Sequence, residues 1–240
     1  MSQIILGDCL EVMKDIPDKS IDMILCDLPY GTTACKWDTI IPFEPLWEQY
    51  KRIIKDNGAI VLTASQPFTS ALVMSNVKMF KYEWVWIKSP TGFLNAKKMP
   101  MKSVEEVCVF YNQLPTYNPQ DLITVNKKKT NHETKRIKSN IGLSTHNGGR
   151  LPSEYFQEFS NYPKQELYFS NDKGLHPTQK PVALFEYLIK TYTNEGDLVL
   201  DNCAGSGTTG VACKNLNRNY ILIEKEPEYI DIINKRLSIN

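Results

Sequence analysis

Short apolar runs alternate with amphipathic stretches at both ends of this 240-residue chain, and that alternation narrows the fold more than any other feature. Runs suited to strands fall at about 3–7, 22–26, 58–63, 82–87, 106–111, 198–200 and 220–223. Between them, apolar residues at helical spacing mark helices near 10–16, 43–55, 67–76, 181–192, 208–216 and 227–237. Pro181 and Pro227 stand where a helix can begin, because the first helical residue needs no N–H donor. This order predicts a three-layer α/β domain with a mostly parallel, seven-stranded sheet. Residues 114–172 break the rhythm: they are polar, interrupted by Pro115, Pro119, Gly142, Gly148, Gly149, Pro152 and Pro163, and poor in apolar period. An aperiodic stretch of that length is functional or disordered. The expected organisation is therefore one domain built from 1–113 and 173–240, with 114–172 inserted.

With 42% hydrophobic and 23% charged residues the chain can bury a full core. No apolar run reaches membrane-spanning length, and the N-terminus reads as a strand rather than a signal peptide, so a soluble, cytoplasmic protein is expected. Cysteines at 9, 26, 35, 108, 203 and 213 form no C-x-x-C pair, and the three histidines lack ligand spacing; neither a metal site nor a disulfide framework is expected. Net charge is only +1, but Lys127, Lys128, Lys129, Lys135, Arg136 and Lys138 face Glu133 alone within their stretch. Such a segment is either a phosphate-contacting arm or a solvated loop. A second basic group comprises Lys88, Lys97, Lys98 and Lys102.

Two segments carry the chemistry. Asp27-Leu28-Pro29-Tyr30 follows the apolar run Ile21–Cys26, so it lies at the carboxyl end of a buried strand. Pro29 biases Leu28 away from helix and leaves the Leu28 carbonyl beside the Asp27 carboxylate. Two acceptors next to an aromatic face suit an exocyclic amine on a planar base; an ordinary strand-ending turn is the alternative. The second segment runs from Asp201 through Cys203, Gly205, Ser206, Gly207 and Thr208 to Gly210, a strand-ending turn that opens a helix. Its glycines satisfy G-x-G-x-x-G, and Glu224 ends a strand roughly 20 residues on, where an acidic side chain receives ribose hydroxyls. The Asp201 carboxylate would repel a pyrophosphate but suits an amino group and a sulfonium, which favours S-adenosylmethionine over NAD.

Together these segments make the chain resemble the amino-methyltransferases of DNA, the N6-adenine and N4-cytosine family, in the beta subgroup whose catalytic tetrapeptide precedes the cofactor loop. Gly7-Asp8-Cys9-Leu10 resembles the family's adenine-contacting strand end, and His176-Pro177-Thr178-Gln179-Lys180-Pro181 its segment before the cofactor strand. Cys203 stands where phenylalanine is usual, and Leu28 where proline is commoner. The resemblance implies the Rossmann-like methyltransferase fold with an inserted target-recognition region, S-adenosylmethionine as cofactor and double-stranded DNA as partner. A homodimer and a restriction endonuclease acting on the same site are compatible with it.

It also implies roles. Asp27, Leu28, Pro29 and Tyr30 would receive a flipped adenine. Asp8, Cys9, Asp201, Cys203, Gly205, Ser206, Gly207, Thr208 and Glu224 would hold the cofactor, with Thr178 and Lys180 near its carboxylate. Phe93 and Asn95 would line the base pocket, while Lys97, Lys98, Lys127, Lys128, Lys129, Arg136 and Lys138 would contact DNA. Adenine is favoured because the tetrapeptide starts with Asp, where cytosine-N4 enzymes more often carry Ser. Methylation of RNA or of a protein amide is disfavoured by motif order, and a non-catalytic DNA-binding relative by the intact Asp27 and Asp201.

Overall fold

The computed structural model describes residues 2–32, 38–130, 154–171 and 179–238. Its centre is the run Ile21–Asp27, in which successive side chains pack into opposite cores, as a strand covered on both faces requires. In chain order the elements are β1 (Gln3–Leu6), α1 (Cys9–Val12), β2 (Ile21–Asp27), α2 (Phe43–Ile53), β3 (Ile54–Ala64), α3 (Phe68–Ser75), β4 (Phe80–Thr91), β5 (Lys102–Phe110), β6 (Ile123–Thr130), β7 (Glu154–Ser160), β8 (Glu166–Tyr168), α4 (Val182–Tyr192), β9 (Leu198–Asp201), α5 (Thr208–Asn215), β10 (Asn219–Glu224) and α6 (Pro227–Ser238).

Among the described residues the main sheet has eight strands, ordered β1-β10-β9-β2-β3-β5-β4-β8, one more than the sequence predicts. All neighbours are parallel except at β3–β5 and β5–β4. The extra strand is β8, whose central Leu167 is the one buried residue of three; so short a segment shows no alternation to read. Ile24, Cys26, Ile60 and Leu62 pack against α1, α2 and α3, whereas Met23, Leu25, Ala59 and Val61 pack against α4 and α5 on the other face. Helix α6 adds Ile233 against Leu222 on that second face. The result is the expected helix, sheet, helix layering.

The chain divides into two compact units, one of residues 1–118 with 164–240 and one of 119–163. In the second unit β6 and β7 pair antiparallel, Lys127 opposite Gln157, Lys128 opposite Phe156 and Lys129 opposite Tyr155. A ladder therefore stands within the stretch expected to be irregular. Its strand Ile123–Thr130 holds three consecutive lysines, which mask the period-2 pattern.

On the α4 face of the main unit the hydroxyl of Tyr192 accepts the buried Trp84 indole N–H at 2.7 Å and lies 2.8 Å from the Tyr82 hydroxyl. Tyr192→Phe leaves that N–H unpartnered at almost unchanged volume. The expected loss is about 1–3 kcal/mol of unfolding free energy in urea titration. A loss under a few tenths would mean that water takes the vacated position.

Candidate active site

From β9 the chain moves outward to β10 on one side of the sheet, and from β2 it moves outward to β3 on the other. Because β2 and β9 are neighbours, their outgoing turns diverge and open a crevice at their carboxyl ends, the usual ligand position in such sheets. The acidic residues singled out in the sequence meet along this edge. Asp8 follows β1, Glu224 ends β10, Asp201 ends β9 and Asp27 ends β2, while Thr63 near the end of β3 lies in register with Asp27.

Asp27 is the most heavily bonded of them. Its Oδ1 accepts the Tyr30 hydroxyl at 2.8 Å and the Thr63 hydroxyl; its Oδ2 accepts Lys180 Nζ at 2.6 Å. Burial, and then the neighbouring Asp27 charge, push the Tyr30 phenol well above its ordinary pKa, so it remains a donor. The Tyr30 ring stacks on Phe68 at 5.2 Å, and Lys180 Nζ lies 5.4 Å from its centroid. Leu28 is buried, and beyond Pro29 the loop is tied down by Asp38, which accepts the Gly31 and Thr32 N–H groups at 2.8 and 2.9 Å. Lys180, expected near a cofactor carboxylate, is buried against Asp27, with Glu105 Oε2 at 3.5 Å. Burial lowers its pKa, but the charges of Asp27 and Glu105 more than offset this and keep it cationic.

The other half of the edge is shaped by backbone donors. Glu224, nearly buried, accepts Gly205 N–H at 2.7 Å on Oε2 and Glu226 N–H at 2.9 Å on Oε1; burial raises its pKa. Each oxygen keeps a second lone pair for a ligand hydroxyl. Gly205 and Gly207 have φ of 50° and 80°, and a Cβ built on Gly205 meets nothing within 4 Å, so this turn presents bare backbone to open space. Asp201 is turned inward: Cys203 N–H reaches its Oδ1 at 3.1 Å and the Thr209 hydroxyl its Oδ2. It holds the loop. Ser206 and Thr208 are buried against Arg236, whose guanidinium donates to the Ser206 carbonyl at 2.7 Å. Asp8 is exposed and caps α1, accepting Leu10 N–H at 2.9 Å. The thiols of Cys9, Cys26 and Cys203 lie together beside this turn: burial pushes Cys26 up to about 12 although its hydrogen bond with Cys203 works the other way, while Cys9 is raised by its hydrogen bond with Cys203 and by burial, and Cys203 by its hydrogen bond with Cys26 and by burial.

Phe93 and Leu94 are 81% and 96% exposed on a single 3₁₀ turn between β4 and β5, with Asn95, Lys97 and Lys98 also exposed. Phe93 thus stands at a hairpin tip. Lys88 and Lys102 of the same basic group are engaged, with Glu105 and with the Ser65 hydroxyl. Lys128 pairs with Glu154 at 2.6 Å. Thr178, Arg136 and Lys138 lie outside the described residues. Thr63 and Glu105 were not legible as site residues, because a threonine and a glutamate in strands carry no motif. No cluster of His, Cys, Asp or Glu that could hold a metal occurs among the described residues, and no helix there is long and apolar enough to cross a membrane.

Residues 21–235 match a family model described as DNA methylase. The chain is 30% identical over 250 residues to the DNA adenine methyltransferase YhdJ of Escherichia coli (strain K12), covering 98% of this chain and 82% of that protein. The crystal structure of M1.HpyAVI in complex with SAM is 28% identical and aligns with a TM-score of 0.66 over 99% of this chain and 100% of its own. The cytosine-N4-specific PvuII DNA methyltransferase aligns at 0.70 over 99% of this chain and 86% of that one, at 18% identity, a likeness of fold alone.

Burial of Asp201, only partly offset by the Thr209 and Cys203 hydrogen bonds, raises its carboxyl to a pKa of about 6. A folded pKa raised above the unfolded value means that the native state binds the extra proton, so this contribution is full below about pH 4 and is lost as pH rises through 6. Asp201→Asn removes the buried charge at constant shape. The variant is expected to be more stable than the parent at pH 8 by up to about 3 kcal/mol, with the gap closing as pH falls toward 4. Urea titrations across pH test this; a gap that does not vary with pH would refute it.

Proposed function

This chain belongs to the DNA methylase family, whose members act on the N6 of adenine or the N4 of cytosine, and from that membership we propose that it methylates the N6 amine of an adenine flipped out of duplex DNA. The observation that carries the proposal is the Asp27 carboxylate at the end of β2, beside Tyr30 and across the β2–β9 crevice from the glycine turn and Glu224. An aspartate at this point, rather than a serine, supports adenine, as does the likeness to an adenine methyltransferase.

S-adenosylmethionine supplies, when bound, a methyl group on a positively charged sulfur. The residues present fit it: Glu224 would take the ribose hydroxyls, Asp8 its adenine amine, and Gly205 allows close backbone approach. Cys203 and Cys9 would supply a slim apolar wall, while Asp201 and Ser206 act by holding the turn. On the other side of the crevice, Asp27 accepts an N–H of the target amine, with the Leu28 carbonyl as second acceptor. As positive charge develops on the nitrogen, the carboxylate stabilises it more strongly than it stabilises the resting base, which is the form of binding that accelerates a reaction. The departing proton can pass to Asp27 or water. Tyr30, fixed by its hydroxyl bond and by Phe68, offers an ordered aromatic ring to the base.

A base must leave its stack to reach this edge. The apolar hairpin tip Phe93-Leu94, flanked by Lys97 and Lys98, suits contact with an opened duplex, apolar groups at the bases and lysines at phosphates. Residues 114–172, which contain the β6–β7 ladder, are the part of the chain free to select sequence, with Lys127 and Lys129 on one strand face and Lys128 on the other.

Asp27→Asn is expected to lower kcat by about 10²–10³-fold while leaving S-adenosylmethionine affinity within a few-fold. Tritiated-methyl transfer to duplex DNA and calorimetry measure the two, and retained turnover would remove Asp27 from the mechanism. Digestion of the labelled DNA to nucleosides decides the base: label in 6-methyladenine supports this reading, and label in 4-methylcytosine replaces it. For DNA contact, Lys127→Ala and Lys129→Ala should each reduce the slope of log affinity against log salt by about 0.9. Lys128→Ala should change it less, because Glu154 already neutralises that charge. Equal effects at all three positions would contradict the role given to that ion pair.

A further inference from the structure

Behind the Asp27–Lys180 pair lies a second buried carboxylate that the reaction as described does not use. Glu105, on β5, is 8% exposed. Its Oε1 is held by Lys88 Nζ from β4, and Lys88 in turn lies 4.9 Å from the centroid of the Trp86 ring. Its Oε2 accepts no hydrogen bond among the described residues, although it is fully enclosed and only 3.5 Å from Lys180 Nζ. Four charges thus alternate in a row, Lys88, Glu105, Lys180 and Asp27, and the two carboxylates compete for one ammonium. Lys180 is bonded to the nearer one. A buried carboxylate oxygen left without a donor is costly and rare, and here the missing donor stands next to it.

Resting on the reading of Asp27 as the acceptor of the target amine, we propose that Lys180 is a displaceable counter-ion: it occupies Asp27 until a base arrives, and Glu105 then receives it. Two requirements of the chemistry favour this movement. The target amine needs a lone pair on Asp27, where Oδ1 already takes the Tyr30 and Thr63 hydroxyls and Lys180 takes one of the two sites on Oδ2, crowding the one that remains. In addition, a cation fixed on Asp27 opposes the positive charge that develops on the nitrogen during transfer, since like charges at such separations repel strongly where water is excluded. A shift of Lys180 toward Glu105 removes both obstacles. The net charge of the row does not change, and no proton moves. Glu105 is therefore a positioning residue: it acts on the substrate only through Lys180.

Two isosteric or nearly isosteric changes separate this arrangement from a merely structural ion-pair row. Glu105→Gln keeps the side-chain shape but offers Lys180 no charge, so Lys180 should stay on Asp27. Lys88→Met frees both Glu105 oxygens and should make Glu105 the better receiver. In single-turnover and steady-state methyl transfer to duplex DNA, Glu105→Gln is expected to lose at least about tenfold in kcat, with S-adenosylmethionine affinity by calorimetry and midpoint of thermal unfolding close to the parent. Lys88→Met is expected to keep kcat within about threefold even where its unfolding midpoint falls. Parent-like kcat in Glu105→Gln, or losses of kcat in both variants that follow their losses of stability, would overturn the proposal. If the parent protein itself transfers no methyl group to any duplex, the reading of Asp27 falls, and this proposal with it.

Discussion

A carboxylate at the end of a buried strand must be satisfied from elsewhere, and Asp27 draws its partners from three separate stretches of chain. Tyr30 comes from the turn that follows, Thr63 from the next parallel strand and Lys180 from the segment before α4. The Thr63 and Lys180 contacts form only when β2, β3 and the α4 segment have assembled in this order, so the geometry of Asp27 is a property of the whole sheet edge. The same constraint explains why the edge can do chemistry. A side chain held by three donors from three elements has little freedom left, and a preorganised charge stabilises a developing opposite charge without having to reorganise at that moment.

The cofactor half of the edge is built on a different balance. Its two carboxylates both accept backbone N–H groups, but Asp201 faces inward and Glu224 stays at the rim. Asp201 converts the end of β9 into a fixed turn by binding Cys203 and Thr209, which leaves Gly205 and Gly207 in left-handed conformations, with open backbone at Gly205. Glu224 then closes the turn from the side through Gly205. Of the two acids that the sequence singles out here, Asp201 is taken up by the turn and Glu224 keeps the rim position. Spacing along the chain locates both, but only burial separates their tasks.

Legibility in the sequence followed the same division. The strands and helices of the main unit announce themselves, because a strand covered on both faces must be apolar throughout and its flanking helices must be amphipathic; Ile21–Asp27 and Val182–Tyr192 illustrate each case. β8 escapes because three residues with one buried side chain carry no period, and β6 because lysines at 127, 128 and 129 hide its alternation. Asp27, Tyr30 and Glu224 could be singled out since strand-ending acids near turns have few ordinary uses. Thr63, Glu105 and Lys88 could not. Each is an unremarkable strand residue whose meaning depends on which strand lies alongside, and that information is non-local. Lys180 was noticed beside a cofactor motif, but its contacts with Asp27 and Glu105 are non-local and could not be read from its neighbours in sequence.

The placement of these charges also bears on why an aspartate stands at position 27. A serine there would accept and donate as a neutral group and would need no cation in its surroundings. An aspartate brings a full negative charge to a crevice already lined by Asp8, Asp201 and Glu224, and the mutual repulsion is visible in the contribution of Asp27 to the raised pKa of Asp201. Lys180 counters that charge from a buried position, and its own burial is tolerable only because two carboxylates flank it. Asp27, Lys180 and Glu105 therefore form a set in which each member makes the next one affordable.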